Sequence, residues 1–115
     1  MTPAALRKHC LSLPGAELSV QWGDAQVFKV AGRMFTICDA GYTKISFKCS
    51  DQSFLILTET GAAITVPYLA RARWVRIGPW SLPAAELKNR ITQAYAIIRS
   101  GLTRKVQASL LPFGD

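Results

Sequence analysis

The chain has few acids, one histidine and no long apolar run, and each shortage removes a class of function. Seven Asp and Glu stand against 14 Lys and Arg in 115 residues. The acids are Glu17, Asp24, Asp39, Asp51, Glu59, Glu86 and Asp115, too scattered to announce the positioned pair that general acid–base catalysis needs. Asp51 and Glu86 are already explained as helix-start residues. His9 has no second ligand at metal-binding spacing, and its neighbour Cys10 points to a different side of a helix. The three cysteines, Cys10, Cys38 and Cys49, form no C-x-x-C pair, so they read as free thiols in a reducing compartment. Cys38 and Cys49 lie in apolar segments and act there as small hydrophobes. There is no Gly-rich phosphate loop. No apolar run approaches the ~18–20 residues that span a bilayer, and the stretch after Met1 is too short for a signal peptide. These absences predict a cytosolic binding protein with no catalytic site, cofactor or metal and no membrane partner. An enzyme whose site assembles from distant residues stays open as a third class.

What is present is apolar residues and positive charge. Half of the chain is hydrophobic, enough for one core, and its length allows a single domain over 1–115. The net charge of +7 favours polyanions: nucleic acid, an anionic membrane surface or an acidic partner. The cations are dispersed, with no polybasic tail.

Thr2-Pro3 is a helix-start signal, and Leu6, Cys10 and Leu13 share one helical face before Leu13-Pro14-Gly15 stops the helix, predicting one over 3–13. From Glu17 the period falls to two. Leu18–Trp22, Val27–Ala31, Met34–Cys38 and Lys44–Cys49 read as four strands joined by short turns, hence antiparallel hairpins. Ser50 or Asp51 caps a short helix over 52–59. Ile64–Val66 before Pro67 is an edge-like strand, Tyr68–Arg71 a single helical turn, and Trp74–Ile77 the last strand, ended by Gly78-Pro79. Ser81-Leu82-Pro83 opens the longest helix, with Leu87, Ile91, Ala94, Tyr95 and Ile98 on one stripe and Gly101 at its end. The tail, 102–115, either packs as a final turn or frays. The pattern describes an α+β two-layer sandwich, an antiparallel sheet flanked by N- and C-terminal helices with its other face partly open.

The order of these segments resembles the MmcQ/YjbR-like family. The resemblance rests on Pro14-Gly15-Ala16-Glu17, Trp22-Gly23, Val27-Phe28-Lys29-Val30, Gly32-Arg33-Met34-Phe35, Phe47-Lys48, Pro67-Tyr68-Leu69-Ala70, Trp74-Val75-Arg76-Ile77 and a closing helix with Ala94-Tyr95 near its middle. It covers roughly residues 12–99. The resemblance implies a frataxin-like outline, a DNA-binding role through a double-wing arrangement of the sheet, and no established enzyme activity. Ala94 stands where the family often has Ser, and Arg33 where it often has Lys. A frataxin-like iron role is excluded by chemistry, because hard cations need oxygen ligands and no acid precedes Glu17.

Two basic clusters are candidates for phosphate contact. Lys44, Ser46 and Lys48 share one side of their strand, opposite Ile45, Phe47 and Cys49. Lys29 lies mid-strand and Arg33 at a hairpin tip, and together these cations are expected to line one basic sheet face. Arg71, Arg73 and Arg76 surround Trp74 as a second cluster, suited to stacking or phosphate contact. The competing explanation is that strand lysines keep an open face soluble and block edge pairing. Trp74, Trp22 and Trp80 are expected to close the core, and Tyr42 to be the exposed aromatic. The leading expectation is DNA binding through the basic face; the alternative is a module for an acidic protein or an anionic metabolite.

Overall fold

A computed structural model describes residues 1–78 and 81–113. The expected ending of the last strand at Pro79, the packing of Trp80 and the surroundings of Asp115 lie outside the described residues. Helix α1 (Pro3–Ser12) begins as its sequence dictates: Thr2 Oγ1 accepts the Ala5 N–H at 3.1 Å, and Pro3 occupies the first turn. Leu6 and Cys10 are buried along its inner face, followed by Leu13. Gly15, at φ +71°, turns the chain into the sheet, and a Cβ there would lie 2.6 Å from Leu110. Glycine adopts that φ without strain and leaves room for the Leu110 side chain.

Strands β1 (Ala16–Gln21), β2 (Ala25–Val30), β3 (Arg33–Cys38) and β4 (Ile45–Lys48) form an antiparallel meander. Trp22 and Ala31 were expected to continue strands. Both have positive φ, +50° each, and begin the turns instead. Ala31 and Gly32 (φ +80°) form the mirror-image turn whose twist suits a two-residue hairpin. Between β2 and β3, Phe28 pairs with Thr36 but Lys29 pairs with Met34, so Phe35 is an extra, bulged residue.

Ser50 caps α2 (Asp51–Glu59), accepting from the Ser53 N–H at 3.1 Å. The short β5 (Ile64–Thr65) and a 3-10 turn (Ala70–Ala72) lead to β6 (Trp74–Ile77), which inserts between β4 and β5. The order is β1-β2-β3-β4-β6-β5, antiparallel throughout. Helix α3 (Ala84–Ser100) crosses β3 and β4, burying Leu87, Ile91, Ala94 and Tyr95 against Phe28, Phe35, Phe47 and Val75. The Phe35 and Tyr95 rings meet edge-on at 5.5 Å.

The tail is held against the body. Helix α4 (Arg104–Ser109) is capped by Thr103, and Leu102, Leu110 and Phe113 pack on the core. Phe113 lies 4.8 Å from the Tyr95 ring, and the Arg99 guanidinium sits over both. The Tyr95 hydroxyl donates to the Pro14 carbonyl at 2.5 Å and accepts from Arg99 at 2.9 Å, which joins α3 to the start of the sheet. The result is the two-layer α+β sandwich expected, with the helices on one face. No helix among the described residues is long and apolar enough to cross a membrane.

Candidate anion-binding face

Residues paired across antiparallel strands point to the same side, so the register decides which cations share the uncovered face. One row runs the full width of the sheet: Ser19, Val27, Ile37, Ser46, Arg76 and Ile64. Beside it, Glu17 faces Lys29 and Met34, and Lys48 faces Trp74. On the other side of the central row, Lys44 precedes β4 and is tied to Asp39, whose N–H donates to the Lys44 carbonyl at 3.3 Å. The uncovered face therefore brings together Lys29, Lys44, Lys48 and Arg76.

The rest of the expected set is dispersed. Arg33 pairs with Val30, which pairs with Ala16, so it lies at the rim of the helix-covered side, away from the other cations. Its place at a hairpin tip suggested otherwise, because the side on which a residue beside the tip falls is decided by the two-residue turn. Arg73 sits at φ +62° and turns toward α2, where it pairs with Asp51 at 2.9 Å and covers the Phe54 ring at 5.3 Å. Arg71 is exposed on the 3-10 turn. Of that second cluster, only Arg76 shares the face of Trp74.

Arg76 is half-buried, and its Nε donates to Ser46 Oγ at 3.3 Å, which sets the direction of the guanidinium. Among the described residues the ion pairs are Arg73–Asp51 and Arg90–Glu86, so Arg76 has no carboxylate partner. It and Lys44 line two adjoining depressions, of about 420 and 160 Å³. The larger is walled on its far side by Gly61, Ala62, Ala63 and Ile64. Two cations beside open space in a partly desolvated surface attract an anion more strongly than they would in bulk water. The Lys48 ammonium donates to the Ala72 carbonyl, which fixes the side chain and leaves two N–H groups free.

Asp39, read from the sequence only as a turn residue, is the post that positions Lys44. Its carboxylate accepts from the Thr43 N–H at 2.7 Å, the Lys44 N–H at 2.8 Å and the Thr43 hydroxyl at 2.5 Å. Partial burial pushes the Asp39 carboxyl up, but these hydrogen bonds more than offset it and hold the group below the usual carboxylate range. The Asp with a Gly two residues on and a Thr at the fourth is a signal for such an Asx-type loop. Ser46 as the orienting group for Arg76 had no sequence signal, since it depends on which strand adds beside β4.

The aromatics are rearranged relative to expectation. Trp74 is buried, at 4% exposure, but it lies on the uncovered side, outside the main core. Trp22 is 69% exposed, because the positive-φ turn carries it away from the core it was expected to close. Tyr42, expected to be exposed, is 6% exposed: its own positive φ, +57°, folds it back against the core, and its hydroxyl donates to Gln26 at 3.5 Å.

The three thiols and the imidazole are displaced from their ordinary titration by burial. Burial pushes the Cys10 thiol up to about 12 and the Cys49 thiol to about 11, and raises Cys38 also. His9 Nε2 donates to the Lys88 carbonyl at 3.1 Å and lies 2.9 Å from Thr92 Oγ1. Burial, aided by the Lys88 charge and opposed by that hydrogen bond, keeps the imidazole below its ordinary value. Among the described residues no three His, Cys, Asp or Glu side chains gather as a metal site would require.

The fold and this face define a class: a small α+β sandwich with helices on one side of an antiparallel sheet and a basic open side. The family model for YjbR proteins matches residues 11–97. The chain belongs to the YjbR family. It is similar in fold to the crystal structure of Deinococcus radiodurans protein DR2400, a DUF419 domain, with a TM-score of 0.83 at 22% identity. That alignment covers 94% of this chain and 86% of the other. No curated protein matches the chain significantly. Ala94, where a Ser was expected from the family pattern, is fully buried under the sheet and lines no part of the basic face.

Proposed function

We propose that the protein is a non-catalytic binder of nucleic acid, taking backbone phosphates on the open face of the sheet. Lys44 and Arg76 form the centre, with Lys29 and Lys48 flanking. The observation that carries this reading is Arg76: a half-buried guanidinium, oriented by Ser46, beside Lys44 and without a carboxylate partner among the described residues. Lys29 and Lys48 stand two strands apart, roughly 10 Å at ~4.8 Å per strand, and Lys44 and Lys48 about 13 Å apart along β4. A patch of that size takes a few phosphates, as in sequence-independent contact. The net charge of +7 adds long-range attraction. DNA is the form expected from the family pattern. Raised thiols and a hydrogen-bonded His9 favour binding over catalysis, and three free cysteines suit a reducing cytosol.

A titration of duplex and single-stranded DNA at several salt concentrations tests this. The slope of log affinity against log salt is expected at about −2 to −4 on duplex, at ~0.9 per phosphate neutralised. The double variant Lys44→Ala/Arg76→Ala should weaken binding about tenfold or more, while Arg73→Ala leaves it nearly unchanged. No affinity for either nucleic acid at low salt overturns the proposal. A second reading, a small anionic metabolite, is favoured by the 420 Å³ depression with cations on one wall and apolar residues on the other. It predicts saturable binding of a nucleotide or aromatic carboxylate that the same double variant abolishes.

A further inference from the structure

We infer that β1 is a self-association edge, through which two copies join their sheets by antiparallel β1–β1 pairing. Both ends of the sheet are open, but only one is protected. At the far end β5 has two residues and Pro67 follows shortly after, a length and a residue that discourage strand addition. At the near end β1 offers six residues of regular strand without proline, lysine or a bulge; the Ala16 N–H is taken by the Leu13 carbonyl at 3.0 Å, and from Glu17 to Gln21 no backbone group outside β2 pairs with the strand among the described residues. Its unpaired N–H and C=O groups are the template that natural edges usually hide. Val20, at 58% exposure, and Trp22, at 69%, stand exposed beside it.

The charge pattern selects the occupant. Two copies of a +7 chain repel, so they can meet only where cations are missing. Residues 9–28 contain no Lys or Arg, and they include all of β1 together with Glu17 and Asp24. That is the surface on which a second copy meets the least repulsion.

The strand is also its own complement. Its even positions, Ala16, Leu18 and Val20, belong to the helix-covered side and its odd positions, Glu17, Ser19 and Gln21, to the open side. Only registers with an even sum keep matching faces together. The one centred on Ser19 pairs the strand along its length: Leu18 with Val20 of the second copy, and Glu17 with Gln21 of the second copy. Neither Glu17 faces its own equivalent. The exposed Val20 is covered by Leu18, and the two open faces become one continuous surface.

Sedimentation equilibrium from about 1 µM to about 1 mM, on nucleic-acid-free protein, tests this. A single strand pair is smaller than a standard stable interface, so the expected outcome is a dimer forming between about 10 µM and 1 mM. Salt should strengthen it by screening the +7 repulsion, the opposite of its effect on nucleic-acid binding. Val20→Lys, at an exposed position, should weaken the dimer at least about tenfold with an unchanged melting temperature. Amide exchange across β1 should slow as the concentration rises. A monomer at all concentrations overturns the inference, as does a dimer indifferent to Val20→Lys or one whose β1 amides are unprotected. None of these outcomes bears on the proposed nucleic-acid face.

Discussion

The two faces of the sheet come from the same six strands and the same alternation, yet they are built by opposite rules. On the covered face Phe28, Phe47, Val75 and Ile77 are sealed by α3 and α1, and the polar exception, Thr36, is buried with its hydroxyl unpaired among the described residues. On the open face the central row mixes Val27, Ile37 and Ile64 with Ser46 and Arg76, whereas the buried helix residues Leu6, Leu57, Leu87, Ile91 and Tyr95 cluster with the residues of the covered face. Apolar packing determines stability on one side; the other carries the oriented charge on which the proposed binding rests. The difference teaches that the two properties are separable here, residue by residue, according to the parity of position along a strand.

The largest expected effect tests the covered face. Phe47→Ala should lower stability by about 3–5 kcal/mol in denaturant unfolding, because it removes a fully buried ring and leaves a cavity under α3. On the opposite face, Lys44→Ala should move unfolding by no more than about 0.5 kcal/mol. If the two substitutions cost the same, the division between faces fails.

A smaller effect of opposite sign is expected from Thr36→Val. The buried Oγ1 has no hydrogen-bond partner among the described residues, so replacing it with a methyl group should leave stability unchanged or raise it by up to about 1–2 kcal/mol. Thermal melting of the variant checks this, and a marked loss would mean that the hydroxyl is paired in solution.

The smallest effect concerns pH. The folded-state carboxyl of Asp39 lies below its unfolded value of 3.8, so its hydrogen bonds add stability that is fully present above that value and lost as pH falls through the folded one. His9, also lowered from 6.5, adds stability present above pH 6.5 and lost on acidification through its own lowered value. Unfolding followed from pH 7.5 downward should therefore weaken first near the α1–α3 contact and later at the β3–β4 loop. Asp39→Asn should remove the second step and loosen Lys44, with His9→Gln removing the first.

Much of the architecture was legible along the chain. Thr2-Pro3, Ser50 and the Leu87–Ile91–Tyr95 stripe carry their own physical signals, because capping and helical periodicity are local. Lys44 and Lys48 were assigned a common side by simple alternation; the register puts Lys48 on the face of Arg76, and Lys44 lines the same depressions as Arg76. Arg33, Tyr42 and Trp22 were misplaced because each sits in or beside a turn with positive φ, where the direction of a side chain no longer follows from the period of two. The partnership of Arg76 with Ser46 was illegible for another reason. Thirty residues separate them, and only the insertion of β6 beside β4 makes them neighbours.

Composition, periodicity and caps thus determined the class of this protein, the number and kind of its elements and the excess of positive charge, since all are properties of nearby residues or of their sum. Tertiary structure decided which cations act together. Strand order, the Phe35 bulge and the hairpin turns grouped Lys29, Lys44, Lys48 and Arg76, tied Arg73 to α2 and moved Arg33 to the other side. Shared direction across a sheet depends on non-local register, and no pattern within a single segment contains it.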